Sequence, residues 1–580
     1  MATKYVRKTG ADSGSAGPFL TITYGLSQIV GGDTLIVGDG SYAEKVSTIP
    51  SGSVGAYTTL IAENLGGVTT GGPTVVGGAN SVALNVGSSY VVVDGLRVRG
   101  GGPDNADGLR NCIWVRNCNH VKILRCCAFD QYAHGNDAGS ITVGQDNGLL
   151  DDGSDSTYPT NYILFEDCWA WGYARYKFIA YEAKRVIFRR CVARHDYMDP
   201  SDGFGMQCAL FAPYSSIDVI FENCIGIDSG RIDDTNGGMY GVIFGDNHDP
   251  TVAKGQKFLG CVFLNYDGRR SVWDPHVKAS QHLYENCVWW HCRGGYVGDL
   301  WGADPGTVLL NHCTFGDIYG TDGTYETQGQ GQGTSGGFTT DFPTASFLTK
   351  NSLLYDCNTF GIADQMHSDY NHFYLNGANY GHGVYGIPDP SAGANDTSGA
   401  VTPTYICRIE SGDTACKGTA SDSGDRGANV VYRYGVDGTL WGETGYGTLT
   451  ATVLWPFPNE ALIRADMRTY DGPIVDGTRG FCASGETLTH YIWNYLGNGV
   501  PAEFGSAGQY GRPSADVSAG NWTPSSGSDL YAMVDETTAD DADYITSGAN
   551  PVNDEAVLSL SPINTPVAGT VSVLIRARRL

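Results

Sequence analysis

Apolar and polar positions fall into one phrase that recurs along the chain, each time built around a cysteine. The copies are VKILRCCAF (121–129), ILFEDCWAW (163–171), VIFRRCVAR (186–194), VIFENCIGI (219–227), QKFLGCVFL (256–264), HLYENCVWW (282–290), VLLNHCTFG (308–316) and SLLYDCNTF (352–360). An apolar residue stands three before the cysteine in every copy (Ile123, Phe165, Phe188, Phe221, Phe258, Tyr284, Leu310, Leu354), and another often stands five before it (Val121, Ile163, Val186, Val219, Val308). That is the period-two alternation of a strand with one buried face. Two mostly polar residues then intervene, so the period slips by one before the cysteine. A slip at the same place in every copy marks a corner, where one strand ends and the cysteine opens the next, facing inward again. A small buried side chain suits such a corner.

The cysteines at 126, 168, 191, 224, 261, 287, 313 and 357 are 42, 23, 33, 37, 26, 26 and 44 residues apart. The short intervals suit a bare coil of a β-solenoid and the long ones a coil carrying a loop. DTLIVGDGSYAE (33–44), YTTLIAEN (57–64) and SYVVVDGLRVRG (89–100) read as earlier coils. The prediction is an all-β chain dominated by a parallel β-helix, right-handed because parallel crossovers are.

The opening stretch, YVRKTGADSGSAGPFLTITYGLSQIVGGDTLIVGDGSYAE (5–44), resembles the N-terminal module of pectate-lyase-like β-helix proteins, through Tyr5, Gly10, Asp12, Pro18, Thr21, Ile22, Gly32, Asp33, Thr34, Tyr42 and Glu44. The resemblance implies a short capping helix over the open solenoid end and then a first coil. Beyond the repeats, Gly-rich sequence leads to two helical candidates, 458–467 and 485–497, within LWPFPNEALIRADM and GFCASGETLTHYIWNYLGN. These look like a segment that follows the β-helix in bacterial and phage-associated relatives, and are expected to pack on the exit end of the solenoid. The phrase LYAMVDETTADDADYI, among short alternating strands and Pro/Gly turns, is similar to small jelly-roll-like modules of phage structural and surface proteins, and predicts a C-terminal β-sandwich. The expected domains are a cap and first coil (1–45), the β-helix (46–375), an irregular extension (376–504) and the sandwich (505–580).

Composition narrows the partners. Lys plus Arg number 36 against 62 Asp plus Glu, a net charge of −26 over 580 residues, which disfavours nucleic acid and anionic membrane surfaces. No apolar run is long enough to insert in a bilayer. The start, MATKYVRKTGADSG, lacks the apolar core of a secretory signal, so the expected place of synthesis is a cytoplasm. The cysteines are then expected to be reduced, buried thiols rather than a disulfide framework, with Cys126–Cys127 and Cys287, His291 and Cys292 the clusters closest to a metal pattern.

Chemistry is expected in the loops. RHDYMDPSDGFGMQ holds His195, Asp196, Asp199 and Asp202, and DSGRIDDTNGGMYGVIFGDNHD holds Asp228, Asp233, Asp234, Asp246, His248 and Asp249. Following consecutive cysteine coils, the two loops are expected to be neighbours on one side. Asp202, Asp233, Asp234 and Asp246 are candidate acid and base groups for glycoside cleavage, and Asp199, Asp202 and Asp234 suit Ca²⁺. SDGFGMQ resembles the DGF phrase of a calcium-dependent pectate-lyase family, which implies a lysine base. IDDTNGG departs from that family's continuation, and Lys177, Lys254, Lys257 and Lys278 compete for the role. Asp and Gly are also what tight turns use. Trp171, Tyr173, Trp289, Trp290 and Trp301 are candidate sugar-stacking rings, with core stacking the competing reading.

The expectation drawn from these features is a bacteriophage virion protein (tail fibre, tailspike or surface decoration) that presents its β-helix to a host-surface glycan or polysaccharide beside other virion proteins. A homotrimer is the arrangement implied by β-helix spikes. The alternatives are a polysaccharide depolymerase, lyase or hydrolase, on the same fold, and a bacterial surface adhesin.

Overall fold

A computed structural model describes residues 1–72, 81–100, 110–130, 139–144, 159–172, 175–196, 208–214, 216–229, 239–243, 255–266, 270–274, 281–298, 307–319, 347–358, 360–363, 367–381, 392–471, 476–483 and 485–504. Of the C-terminal part it describes 513–518, 522–524, 528, 545–546 and 557–560. Residues Met1–Gly499 form one compact unit and Val500–Leu580 a second.

In the first unit the chain visits three sheets in turn. Among the described residues two have 13 strands and the third has 8, all pairing in parallel with the strands one coil before and after. The first sheet realises the repeated phrase. Val121, Ile163, Val186 and Val219 are paired neighbours, as are Ile123, Phe165, Phe188, Phe221, Phe258, Tyr284 and Leu310. Phe165, Phe188, Phe221, Phe258 and Tyr284 stack through the core, with successive ring centroids 5.4, 5.0, 4.5 and 5.0 Å apart. Parallel crossovers of this kind are right-handed. The protein is a right-handed parallel β-helix.

The corner before each cysteine is a single residue in the left-handed backbone region. Arg125, Asp167, Arg190, Asn223, Asn286 and His312 have φ between 49° and 61°, and Gly260 has 63°. Each such N–H donates to a carbonyl one coil on, as Asp167 does to Arg189 and Asn223 to Leu259. One left-handed residue turns the chain, which is the one-residue slip seen in the pattern. The cysteine behind it is fully buried, and its thiol donates to the carbonyl three positions before the preceding coil's cysteine, Cys224 to Phe188 at 3.3 Å and Cys287 to Phe258 at 3.3 Å. All sixteen cysteines are free and buried. Burial pushes the thiols of Cys126, Cys168, Cys191 and Cys287 up, so they stay protonated. The last copy of the phrase departs from this alignment. Asn351 turns that corner with φ 55° and Ser352 takes the cysteine's place, while Cys357 pairs with Ile318 further along the second sheet, in a column with Cys292.

The N-terminal module owes its shape to carboxylates. The helix Ile22–Ser27 is capped by Thr21, whose hydroxyl accepts from the N–H of Tyr24. Glu44 accepts from the helix's first N–H groups, those of Ile22 and Thr23, at 3.0 and 2.9 Å, and Asp12 accepts from Leu20 and Thr21.

The extension was expected at the exit end, and the structure places it along the side instead. Arg426 donates to the carbonyl of Asn371 near the last coils, His312 bonds Asp422, and Asn286 bonds Asn429. Asn223 then binds Tyr432 and Tyr434, Arg190 meets Asp437, and the amine of Lys122 reaches the carbonyl of Gly438. The segment therefore runs backwards over the left-handed corners, and the helices Glu460–Met467 and Leu488–Trp493 return over the second sheet. The cause is chemical. The outward position two before the cysteine reads Glu166, Arg189 and Glu222 in consecutive coils, and only a covering chain with free polar backbone makes burying them tolerable. Arg189 is fully buried between Glu166 at 2.8 Å and Glu222, and donates to the carbonyl of Val436 at 2.7 Å. Glu166 and Glu222 accept from Gly438 and Gly447. Gly435 (φ 75°) lies so close to the Arg189 guanidinium that a side chain there would collide with it.

In the second unit, Pro513–Ser518 pairs antiparallel with Val557–Leu560, and Thr523–Pro524 with Ile545–Thr546.

Candidate functional site

The chain accepts insertions after the second sheet and after the third, and the acidic loops belong mostly to the first of these edges. Between second-sheet and third-sheet strands the connections are 72–80, 100–109, 131–138, 173–175, 194–207, 230–238, 267–269 and 293–295. Val192–Ala193 pairs with Ile225–Gly226, and Cys208, Ala209 and Phe211 with Met239, Tyr240 and Val242. The loops 194–207 and 230–238 therefore leave and return on neighbouring rungs of one edge, about 5 Å apart. Asp199, Asp202, Asp233 and Asp234 lie within them but outside the described residues, as do Tyr173 and Trp301. Asp246 is also outside the described residues, and it follows the third-sheet strand Met239–Ile243, on the connection back to the first sheet. Adjacency thus holds for the stems of two of the acidic stretches.

Basic groups gather at those stems, a feature that sequence reasoning left unranked. Lys177, in the strand Tyr176–Tyr181, is fully buried, as is His195, the second residue of the loop 194–207. Arg175 lies over the ring of Tyr176 at 4.6 Å. Burial raises the thiol of Cys208, at the far stem of the same loop, to about 12 against the opposing pull of Arg175 and Lys177. Of the four lysines in competition, Lys177 is the one at this edge that the structure describes. The only hint in the sequence was its place in YARYKFIAYEA.

Beside the stems, Asp196 and Asp228 serve the extension rather than solvent. Asp196 is buried with Arg194 at 2.8 Å and Arg479 at 2.9 Å, and accepts from the N–H of Gly172. Asp228 accepts from the N–H of Phe481 and from Asn265 and Tyr491, and burial raises its pKa above the ordinary carboxylate value. Arg194 donates to the carbonyls of Met467 and Gly477.

Three of the proposed sugar-stacking tryptophans are corrected by burial. Trp289 is an interior ring, stacked between Phe263 at 5.6 Å and Phe315 at 4.5 Å. Trp171 and Trp290 are on the outer side of the second sheet but only 2% exposed, stacked on Phe129 and Tyr355. Gly316 makes room for Trp290, whose ring a side chain there would strike. Alternation in a strand could not separate these rings from exposed ones, because the outer face is itself covered.

Among the described residues no group of three or more His, Cys, Asp or Glu could hold a metal ion. A calcium site would need Asp199, Asp202 and Asp234. Also among the described residues, no helix is long and apolar enough to cross a membrane.

No protein-family model matches the chain, and no curated protein matches it. Solved structures similar to it include a rhamnogalacturonan lyase (13% identity, 54% of this chain and 82% of the other, TM-score 0.39) and pectate lyase Pel9A (14%, 78% and 90%, 0.38). An N-terminal fragment of bacteriophage Phi29 gene product 12 is similar over 63% of this chain and 66% of its own (13% identity, TM-score 0.41). The three parallel sheets decide the fold. It is a right-handed parallel β-helix.

Proposed function

We propose that the chain is a bacteriophage virion protein, a tail-fibre, tailspike or surface component, whose β-helix presents one loop-bearing edge to a host-surface polysaccharide. The observation that carries this reading is the contrast between edges. Loops of variable length, rich in Asp and aromatic residues, leave one edge on successive rungs, and the opposite corner is bound under the extension. A row of rungs about 5 Å apart offers repeated polar contacts to a polymer lying along it. Mass spectrometry of purified particles should find the chain, and immobilised protein should retain host polysaccharide. Absence from the particles would end the virion reading, and failure to retain any surface polysaccharide of the host would end the binding one.

A depolymerase is the second reading, favoured by the buried Lys177 and His195 at the stems of the acidic loops. A basic side chain beside carboxylates can take or give the proton that bond cleavage needs. Incubation with host polysaccharide should then release oligosaccharides, unsaturated for a lyase and saturated for a hydrolase. Asp202→Asn and Asp234→Asn should each lower that release on the order of a hundredfold or more. Full release by both variants would remove these residues from the chemistry.

A further inference from the structure

Beside the loop edge, the second-sheet strands carry a further column of left-handed residues. Ser229, Tyr266, Cys292, Ile318 and Cys357 are paired neighbours on successive coils. The residues just before them, Asp228, Asn265, His291, Asp317 and Asp356, have φ of 47°, 53°, 50°, 50° and 52°. Asn and Asp tolerate that conformation better than most side chains, which accounts for the residue types but not for what lies over them. The extension covers the first two. Asp228 accepts from the hydroxyl of Tyr491 at 2.9 Å and from Asn265 at 2.8 Å. The cover ends at His291, whose ring lies 6.3 Å from that of Tyr495.

Beyond that point the column is open. Nδ1 of His291 lies 2.6 Å from Oδ2 of Asp317, and the two side chains are 39% and 37% exposed. Asp356, one rung on, is exposed, and its carboxylate accepts no hydrogen bond from a described residue. Partial burial and the charge of Asp317 hold that carboxyl above its ordinary pKa. Rungs are about 5 Å apart, so the two carboxylates stand side by side. Neither pairs with a Lys or Arg among the described residues, and Arg293, two residues past His291, is half-buried. Tyr319 stacks on His291 at 4.8 Å, and on the next coil its place is taken by Asn358, so the stack does not continue there. Carboxylates alone would make a solvated edge. Carboxylates that share a surface with rings suit a ligand with hydroxyls on its rim and C–H groups on its face.

We propose that His291, Asp317 and Asp356, with the rings of Tyr319 and Tyr495, form a subsite for one unit of a polysaccharide, a sugar that carries neighbouring hydroxyls and no acid group. This rests on the reading of the loop edge as the polysaccharide-binding one and adds the class of sugar. An ionised carboxylate only accepts, through two oxygens, so each can take the hydrogens of two adjacent hydroxyls. A uronate at the same place would meet two unneutralised negative charges in a chain of net charge −26.

Saturation-transfer NMR of the full chain tests this, with glucose, galactose, mannose and rhamnose as neutral probes and glucuronate and galacturonate as acidic ones. The wild type should transfer saturation to at least one neutral sugar and to neither uronate. D317N/D356N keeps the size and left-handed tolerance of both residues, and should raise the dissociation constant for that sugar on the order of tenfold or more. Tyr319→Leu removes a ring and no charge, and should weaken the same sugar by a smaller factor, with circular dichroism unchanged in both variants. Transfer to a uronate, transfer to none of the neutral sugars, or affinity undiminished in D317N/D356N would each overturn the proposal. The two readings fail separately: wild type and D317N/D356N that retain host polysaccharide equally remove the subsite and leave the binding edge, whereas a wild type that retains none removes both.

Discussion

The two corners that flank each second-sheet strand obey opposite rules. Before the cysteine, one left-handed residue turns every coil from Arg125 to Asn351 and nothing is inserted. After the second sheet, the connection ranges from 173–175 to 194–207. The first corner is held on both sides, by the cysteine stack within and the extension without. Length varies at the other corners, where no cysteine stack fixes the turn. The cysteine interval therefore reports on insertions after the second sheet, such as 194–207, and after the third, such as 145–160 and 244–256, and the cysteine itself on the first corner.

Insertion should break this contrast most sharply. One glycine added between Asn223 and Cys224 moves every later side chain of that coil to the wrong face and should abolish soluble, cooperatively folding protein. Three residues added between Gly294 and Gly295 should cost roughly 1 kcal/mol or less, since loop closure grows slowly with length. Thermal unfolding of the two variants compares them, and equal tolerance would show that the corners are not distinct.

Next in size is Arg189→Ala. It leaves Glu166 and Glu222 buried without their shared cation and should cost about 3–5 kcal/mol. A denaturant midpoint unchanged by the substitution would mean that the extension is not held by this network. Polysaccharide binding per folded molecule should be untouched, because the network lies at the opposite end of the second-sheet strands from the loops.

Much of this was legible in the repeated phrase. The first sheet, its paired apolar columns, the corner and the buried cysteines follow from the one-residue slip, because a period shift is a local property of backbone geometry. The covering extension was not, although the acid, base, acid order of Glu166, Arg189 and Glu222 at one outward position was in view. Alternation reports which side of a strand faces in, and says nothing of what lies over the other side. For the same reason Trp171 and Trp290 read as exposed. Ser352 escaped because a hydroxyl can hold the same corner as a thiol, accepting from Cys313 N–H at 3.1 Å. At the loop edge, Lys177 carried no distinguishing spacing, and only the strand that buries it sets it apart.

A smaller effect separates backbone from side chain at the corner. Asn223 has φ 49°, accepts from the N–H of Tyr434 at 2.6 Å and donates to the carbonyl of Tyr432 at 3.3 Å. Asn223→Ala should cost about 2–3 kcal/mol, and Asn223→Gly about 1 kcal/mol less, since glycine adopts the left-handed region freely. If the two variants unfold at the same denaturant concentration, the corner stores no strain.

The smallest effect contrasts a carboxylate of the N-terminal module with one under the extension. Asp33, in the N-terminal module, accepts from the N–H groups of Ala2 at 2.5 Å and Val30 at 3.1 Å, and these bonds hold its pKa below the ordinary value. Its contribution is complete above the ordinary carboxylate pKa of about 4 and is lost as pH falls through the lowered folded value. Asp228, under the extension, is raised by burial, so its charged form is penalised and its contribution grows as pH falls through the raised value. The stability gap between wild type and Asp33→Asn should therefore be constant from neutral pH to about 5 and shrink below about 4. Asp228→Asn should move the other way, its gap changing already above pH 4 as the wild-type carboxyl takes up its proton. Thermal unfolding of the three proteins across that range decides it. Parallel curves would mean that ionisation of neither carboxylate, Asp33 in the N-terminal module or Asp228 under the extension, contributes to stability.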